Sequence, residues 1–203
     1  MRDLEEPPDS SPEPHSRPAR NPSKLVAEHL FAARTVLVFG EINSALAASV
    51  TAQLLALAEV SNEPIRVLVN SQGGHVESGD TIHDVVRFIA PEVIMVGTGW
   101  VASAGALVYA AAERKNRVAL PNTRFLLHQP LGGIGGRSSD IEIETRQILA
   151  MRERLNRLFA RATGQSYDKV CVDTEHNHWM TAEEAKSYGL VGRIVERASE
   201  LTA

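Results

Sequence analysis

The sequence has little cysteine, few aromatic residues and no long apolar run. Its single cysteine, Cys171, excludes an intramolecular disulfide and favours a reducing compartment. No apolar stretch approaches the roughly 20 residues that cross a bilayer, and the first residues lack the apolar core of a signal peptide. The net charge of -4 provides no basic surface for nucleic acid. We therefore expect a cytoplasmic protein that engages neither membrane nor nucleic acid.

The length of 203 residues suits one domain with a substantial core. Residues 1–22 are rich in proline, serine, acidic residues and arginine, a composition that cannot bury enough apolar surface to fold. We interpret them as a disordered tail or a removable leader. A single domain is predicted over residues 23–203, with Ser23 as the N-cap of its first helix.

Short apolar runs alternate with helical patterns along this domain. Because the runs are apolar throughout, they predict a covered, largely parallel sheet with right-handed crossovers, and hence an α/β fold. The predicted strands cover residues 35–39, 65–69, 92–96, 117–120, 124–127 and 191–195, and helices are predicted at 44–57 and 81–89. Later in the chain, Thr181-Ala182-Glu183-Glu184 has the pattern of a capping box, and Gly189 ends the helix that it begins.

A long helix is predicted from about Ser138 to Ala162, with Ile141, Ile148 and Leu155 near helical spacing. It is about twice the usual helix length. We expect it to project from the domain, so that its apolar stripe meets a partner chain. The alternative is a helix that lies across the domain's own sheet.

The stretch Gly99-Trp100-Val101-Ala102-Ser103-Ala104-Gly105-Ala106 places one hydroxyl among small residues, directly after a predicted strand. A serine at the start of a helix is open to a substrate, and the helix offers unpaired N–H groups to a developing negative charge. Acyl-transfer chemistry needs this geometry. The alternative is that small residues let a buried helix pack closely, with Ser103 bonded to its own backbone.

Two glycine-containing segments follow strand ends. Asn70-Ser71-Gln72-Gly73-Gly74 can turn its N–H groups toward a ligand, or can be a tight turn. The segment from Leu131 to Gly136 follows His128-Gln129-Pro130 and lacks the Lys-Ser/Thr of a phosphate-binding loop, which excludes a nucleotide role. We interpret it as a strand that pairs with an extended peptide. His128 alone is more often structural than catalytic.

Four motifs in this order resemble the proteolytic subunit of the Clp protease, the ClpP family. They are the Ser103 stretch, His128-Gln129-Pro130-Leu131-Gly132-Gly133, Ala162-Thr163-Gly164-Gln165-Ser166 and Asp173-Thr174-Glu175. The resemblance covers about Thr35 to Glu196. It implies the crotonase-like α/β fold of that family, with the long helix as a handle that joins two stacked seven-membered rings. It implies a serine endopeptidase that degrades unfolded proteins without a metal or another cofactor.

The resemblance also implies roles for individual residues. Ser103 is expected to be the nucleophile and His128 the general base. Substrate is expected to lie extended between a strand over Gly74–Val76 and the segment Leu131–Gly133. The complete implied set is Ser103 and His128 for catalysis, the N–H groups of Gly74 and Ala104 for the oxyanion, and Gly73, His75, Val76, Leu131, Gly132 and Gly133 for substrate binding.

At the third position of the triad the sequence departs from the family. The family pattern Asp-Thr-Glu-Arg-Asp is here Asp173-Thr174-Glu175-His176-Asn177, so Asn177 stands where the aspartate is expected. An amide can orient an imidazole but supplies no charge to the imidazolium; in a site built for aspartate the exchange costs about 10⁴ in kcat. We predict a Ser103-His128-Asn177 triad of low or assembly-dependent activity, with Asp173 and Glu175 as nearby carboxylates.

The resemblance places Glu175 and His176 in contacts between the rings. Histidine stands where the family has an always-charged arginine, so we expect ring stacking to loosen as the pH rises through neutrality. The resemblance implies docking of a ClpX- or ClpA-type ATPase. Phe88 matches the docking pocket, whereas Arg66 occupies a usually aromatic position and weakens it.

Two other functions remain open. One is a weakly active or inactive structural subunit in a mixed ring with a second ClpP paralogue, which Asn177 favours and Ser103 and His128 disfavour. The other is an acyl-CoA enzyme on the related crotonase fold, which the pairing of Ser103 with His128 disfavours.

Overall fold

The computed structural model describes residues 22–130 and 137–202. Most of the predicted leader (residues 1–21) and the predicted peptide-binding segment (Leu131, Gly132 and Gly133) lie outside the described residues. The helices are α1 (Pro22–Ala32), α2 (Ser44–Val60), α3 (Val76–Phe88), α4 (Ala104–Tyr109), α5 (Ser138–Thr163), α6 (Tyr167–Asp173) and α7 (Ala182–Tyr188). The strands are β1 (Thr35–Ile42), β2 (Ile65–Gly74), β3 (Val93–Ala102), β4 (Arg117–Ala119), β5 (Arg124–Leu127), β6 (His178–Thr181) and β7 (Arg193–Ile194).

The strands form one sheet in the order β1-β2-β3-β4-β7, and every neighbouring pair on this path is parallel. This confirms the α/β fold class predicted from the sequence. Beyond the end of β4, β3 pairs with β5, and β5 pairs with the antiparallel strand β6. The sequence did not predict β6, because four residues without alternation carry little strand signal.

Several predicted boundaries were wrong by a few residues. Strands β2 and β3 continue past Val69 and Val96, because their glycine-containing ends remain paired: Ile42 opposes Gly74, and Ser71 opposes Val101. Helix α1 begins at Pro22, before the predicted N-cap. The capping box at Thr181 and the left-handed C-cap at Gly189 are confirmed.

The core lies between the sheet and its covering helices. Alternate residues of β1 and β2, including Val36, Val38, Val67 and Val69, are fully buried. All residues of α4 are buried, and its small side chains let it pack closely: a Cβ on Gly79 of α3 would lie 3.3 Å from the Cβ of Ala104. Close packing and the exposure of a serine at the helix start are therefore both features of this stretch.

Helix α5 has 26 residues and is roughly 39 Å long at 1.5 Å per residue. Its C-terminal half packs on the domain through the buried side chains of Leu155 and Phe159. Its N-terminal half carries exposed apolar side chains, with Ile143 48% and Leu149 56% exposed. The exposed N-terminal half agrees with the first predicted arrangement, whereas the main contacts of the helix are with α6 and not with the sheet, as the second arrangement required.

Candidate active site

Ser103 lies at the sharp turn between β3 and α4. Its backbone has φ 55° and ψ -121°, a conformation that is unfavourable for a residue with a side chain. Its N–H donates to the carbonyl oxygen of Leu126 at 3.0 Å, which ties the turn to the neighbouring strand β5. Strained turns from a strand into a helix present a nucleophile above the sheet in α/β-hydrolases. The half-buried Ser103 has this placement.

The end of β2 lies directly against this turn at Gly73. A Cβ on Gly73 would lie 2.6 Å from the Cβ of Ser103 and 2.9 Å from the carbonyl oxygen of Ala102. The Gly73 backbone has a φ of +100°, and its N–H donates to the Ser71 hydroxyl at 3.0 Å. Only glycine therefore fits this contact between β2 and the serine turn.

The two residues predicted to supply oxyanion donors flank this contact. Ala104 is the first residue of α4, so its N–H has no acceptor within the helix. A Cβ on Gly73 would lie 3.1 Å from that nitrogen. Gly74 has a φ of +145° and pairs with Ile42 at the end of β1. Gly74 and Ala104 therefore directly follow the two residues, Gly73 and Ser103, that meet at this contact.

His128 directly follows β5, and its ring faces Asn177. The Nδ1 atom of His128 lies 3.2 Å from Oδ1 of Asn177. An amide oxygen at this place selects the tautomer with the proton on Nδ1 and leaves Nε2 free to accept a proton. Burial lowers the pKa of His128, and the hydrogen bond with Asn177 offsets part of that effect. A histidine that is neutral near pH 7 is suited to act as a base.

The short strand β6 brings Asn177 to His128. Leu127 and His178, the neighbours of these two residues, oppose one another in the antiparallel pair β5–β6. Gln129 also holds the loop before Asn177 beside β5. Its N–H donates to the Thr174 carbonyl at 2.9 Å, and its Nε2 donates to the Glu175 carbonyl at 3.0 Å. Sequence reasoning assigned Gln129 no role, because only its position directly after His128 marks it.

Ser103 and His128 lie at neighbouring strand ends. Strand β3 pairs with β5 so that Ala102 opposes Leu126, one residue before Ser103 and two before His128. Within the described residues the two side chains make no hydrogen bond with each other. Catalytic hydrogen bonds are often long without substrate and shorten in the complex.

Among the described contacts, His128 bonds with Asn177 and with neither of the two carboxylates predicted near the triad. Asp173 accepts hydrogen bonds from Nζ of Lys169 and from the Tyr188 hydroxyl, both at 2.8 Å. Burial alone would raise the pKa of Asp173, but these hydrogen bonds and the Lys169 charge outweigh it and lower the pKa. The residues predicted for ring contacts, Glu175 and His176, are exposed on the loop that precedes Asn177.

The predicted strand over Gly74–Val76 is wrong beyond Gly74. His75 is the N-cap of α3, and Val76 is the first residue of that helix. The chain turns here because the Gly79 N–H donates to the His75 carbonyl at 3.1 Å and Ser78 Oγ lies 3.0 Å from His75 Nδ1. The strand therefore ends at Gly74, and His75 and Val76 belong to the start of α3.

On another face, a cavity of about 880 Å³ is lined by side chains that include Arg34, Arg66, Ile94 and Lys115. Arg66 donates from Nη2 to the Ala33 carbonyl at 2.8 Å. Phe88 is 81% exposed and is not part of this cavity's described lining. Phe88, the position predicted to match the ATPase docking pocket, is thus exposed, whereas Arg66, the position predicted to weaken docking, donates to the carbonyl of Ala33, which follows α1.

Across residues 22–130 and 137–202, no cluster of three or more histidine, cysteine or acidic side chains is arranged to hold a metal ion. Among these same residues, no helix has the length and apolar character needed to cross a membrane.

Comparison with curated proteins gives close relatives. The chain is 58% identical over 206 residues to the ATP-dependent Clp protease proteolytic subunit 2 of Gluconobacter oxydans, covering 98% of this chain and 92% of that protein. It is 55% identical over 175 residues to the subunit of the same name from Pseudomonas aeruginosa, covering 86% of this chain and 87% of that protein.

Solved structures give the same result for the fold. ClpP1 from Listeria monocytogenes superposes with a TM-score of 0.79 at 52% identity, covering 87% of this chain and 99% of that one. A mutant of the same protein with asparagine replaced by aspartate superposes with a TM-score of 0.82 at 53% identity, over the same shares of the two chains. The chain has the ClpP/crotonase-like fold of these structures.

The family model described as Clp protease matches residues 19–198. The match spans the serine turn, the end of β5 and the loop before β6, and it agrees with the relatives and structures above. The chain therefore belongs to the Clp protease family and is a proteolytic subunit of the ATP-dependent type.

Proposed function

We propose that this chain is a serine endopeptidase whose catalytic residues are Ser103, His128 and Asn177. The observation that carries the proposal is the 3.2 Å contact between His128 Nδ1 and Asn177 Oδ1, at the strand end next to the serine turn. A base oriented through one ring nitrogen keeps its other nitrogen for the nucleophile. The same arrangement accounts for a histidine directly after β5 and for the strained backbone of Ser103.

In the proposed reaction, His128 Nε2 takes the proton of the Ser103 hydroxyl as Ser103 Oγ attacks the peptide carbonyl. The N–H groups of Gly74 and Ala104 stabilise the oxyanion. His128 then donates the proton to the departing amine, and an ester with Ser103 remains. Water, deprotonated by His128, hydrolyses this acyl-enzyme and restores the hydroxyl.

We propose that an extended substrate pairs with β2 at Gly73 and Gly74, beside the serine turn. His75 and Val76, at the start of α3, border this strand end. Unfolded polypeptide meets this requirement, whereas a folded protein does not present extended backbone. Substrate class therefore follows from the shape of the strand end and not from a side-chain pocket.

We also propose that the exposed N-terminal half of α5 meets a second ring. Ile143 and Leu149 would be buried there, and Glu175 and His176 would contribute polar contacts. Family membership implies rings and a Clp ATPase; a ClpX- or ClpA-type ATPase on the outer face and the cytoplasm as the compartment are further parts of the proposal. Phe88 would contact that ATPase.

The proposed nucleophile is tested by labelling the assembled protein with a fluorophosphonate and measuring intact mass. We expect one adduct per chain, no adduct with Ser103→Ala, and slower labelling with His128→Ala. Ser78→Ala is the matched control, since Ser78 Oγ lies 3.0 Å from Nδ1 of His75 but belongs to the first turn of α3. It should label like the unmodified chain.

An absent adduct on a protein that sediments as a ring would overturn the catalytic proposal. It would favour the second function, a structural subunit of a mixed ring, which the amide at position 177 supports. If labelling survives in Ser103→Ala and is lost in Ser78→Ala, the reactive serine is Ser78 and not Ser103.

A further inference from the structure

A second cavity, at the opposite end of α4 from the serine turn, is rich in arginine. It has a volume of about 530 Å³ and lies between the C-terminal parts of α3 and α5 and the segment that leads into β4. Its charged lining consists of Arg87, Arg114, Arg117, Arg161 and Glu113, with His83 beside them. We call it the arginine cavity. The chemistry proposed above uses none of these residues.

Arg117 forms the buried part of this lining. The residue is only 1% exposed, and its Nε and Nη1 atoms have no hydrogen-bond partner among the described residues. Nη2 donates to the Ala162 carbonyl, which fixes the guanidinium against the end of α5. Burial lowers the pKa of Arg117 to about 10, so the group remains charged at neutral pH. A buried charged group with unpaired donors is costly unless an acceptor completes it.

The other arginines of the cavity leave this charge uncompensated. Arg87 Nη1 and Arg114 Nη2 donate only to the carbonyl oxygens of Ala111 and Lys186, at 3.2 and 3.3 Å. In the described part of the chain, none of the four arginines forms an ion pair. The lining carboxylate, Glu113, is paired with Lys115 at 3.3 Å. The cavity therefore has a clear excess of positive charge.

We infer that the arginine cavity binds a phosphate oxyanion, with Arg117 as the buried anchor and Arg87, Arg114 and Arg161 at the entrance. Guanidinium groups bind phosphate through paired N–H donors, and such charge-assisted bonds are strong. The cavity has room for more than one phosphate group, and its four guanidinium groups offer more donors than one group uses, so we expect a ligand with two linked phosphates to bind more tightly. This binding site is independent of the proposed chemistry at Ser103.

Isothermal titration calorimetry on the assembled full chain, at constant ionic strength, tests the inference with two probes: inorganic phosphate and pyrophosphate. We expect saturable binding of about one pyrophosphate per chain, with weaker binding of phosphate. Arg161→Gln should weaken pyrophosphate binding about tenfold or more, since each charge-assisted hydrogen bond contributes that much. Pyrophosphate should also raise the unfolding temperature of the unmodified chain.

Arg157→Gln is the matched control. It removes the same charge from the same helix, but Arg157 is exposed and pairs with Glu153 outside the cavity. It should leave pyrophosphate affinity unchanged. Arg117→Met should abolish binding. Because Arg117 is buried, this variant can fail to fold, and in that case Arg161→Gln decides the test.

Three results would overturn the inference. The first is the absence of saturable heat with either probe, which would mean that water alone serves Arg117. The second is an equal loss in Arg157→Gln, which would show attraction to the overall surface charge. The third is that the unmodified chain binds no pyrophosphate and that Arg161→Gln fails to assemble into rings, as measured by sedimentation. That result would assign the cavity to a carboxylate of a second copy of the chain.

Discussion

Asn177 Oδ1 lies 3.2 Å from His128 Nδ1, so an amide faces the ring at the place where a carboxylate serves in other serine proteases. The geometry for orienting His128 is present, but the charge that stabilises the imidazolium is not. This contact gives the first prediction.

Asn177→Asp should preserve or raise kcat for a fluorogenic peptide, because a carboxylate at the same position stabilises the protonated ring. Asn177→Ala removes the orienting contact and should lower kcat about 10²-fold, within the range of general base catalysis. A lower kcat in Asn177→Asp would show that the site is adapted to the amide and that the triad is not simply a weakened one.

The pH dependence of kcat/KM should reflect the lowered pKa of His128. The ring must be neutral to accept a proton, so the acid limb should lie below the ordinary value of 6.5. In Asn177→Asp the new negative charge raises the pKa of His128, and the acid limb should move to higher pH. Initial rates between pH 5 and 8 measure both profiles; coincident acid limbs would contradict the assignment of His128 as the base.

The same shift makes a stability prediction. The pKa of His128 is lower in the folded chain than in the unfolded chain, so the unfolded chain binds more protons near pH 6. The contribution of His128 is therefore fully present above the unfolded pKa and is lost as the pH falls through the folded pKa. Urea unfolding of the unmodified chain should show a steeper loss of unfolding free energy over this interval than His128→Gln.

Gly73→Ala should disable the serine turn. The new Cβ would lie 2.6 Å from the Cβ of Ser103, at a φ of +100° that disfavours side chains, so the strand end or the turn must move. A displacement of about 1 Å at a reacting group costs on the order of 10²-fold in rate. We expect kcat to fall by at least about that factor.

Gly40→Ala separates steric contact from backbone strain. Gly40 also has a positive φ, +79°, but a Cβ there would meet no atom within 4 Å. This variant should lose about 1 kcal/mol of unfolding free energy from strain and keep its activity. Equal losses of activity in the two variants would mean that the contact with Ser103 is not responsible.

Asp173→Asn should affect stability and leave catalysis unchanged. The carboxylate accepts hydrogen bonds from Lys169 and Tyr188, and its pKa is lowered, so its contribution is present at neutral pH and is lost as the pH falls through the folded pKa. We expect a loss of about 1–3 kcal/mol at pH 7. Asp168→Asn on the same helix is the control, since Asp168 is exposed and has no described ion pair. A shifted acid limb of kcat/KM in Asp173→Asn would instead make Asp173 the partner of His128.

The sequence by itself determined the α/β class, the capping box at Thr181, the long helix and the serine stretch. Each of these depends on local information: apolar runs, helical spacing, or the conformational preferences of a few adjacent residues. The resemblance to the Clp protease family also depended on short motifs, and the comparisons confirmed that family.

The resemblance to the family predicted that Asn177 belongs with His128, but only the tertiary structure gives the contacts between distant side chains and the reason for them. Asn177 contacts His128 because the short strand β6 pairs antiparallel with β5. The four residues of β6 carry too little sequence signal to predict this long-range pairing. Asp173 meets Lys169 and Tyr188 instead. Arg117 is buried without a carboxylate partner in the described chain, and the sequence alone does not show which arginines are buried. Local preferences specify elements, whereas pairing and burial depend on the packing of distant segments.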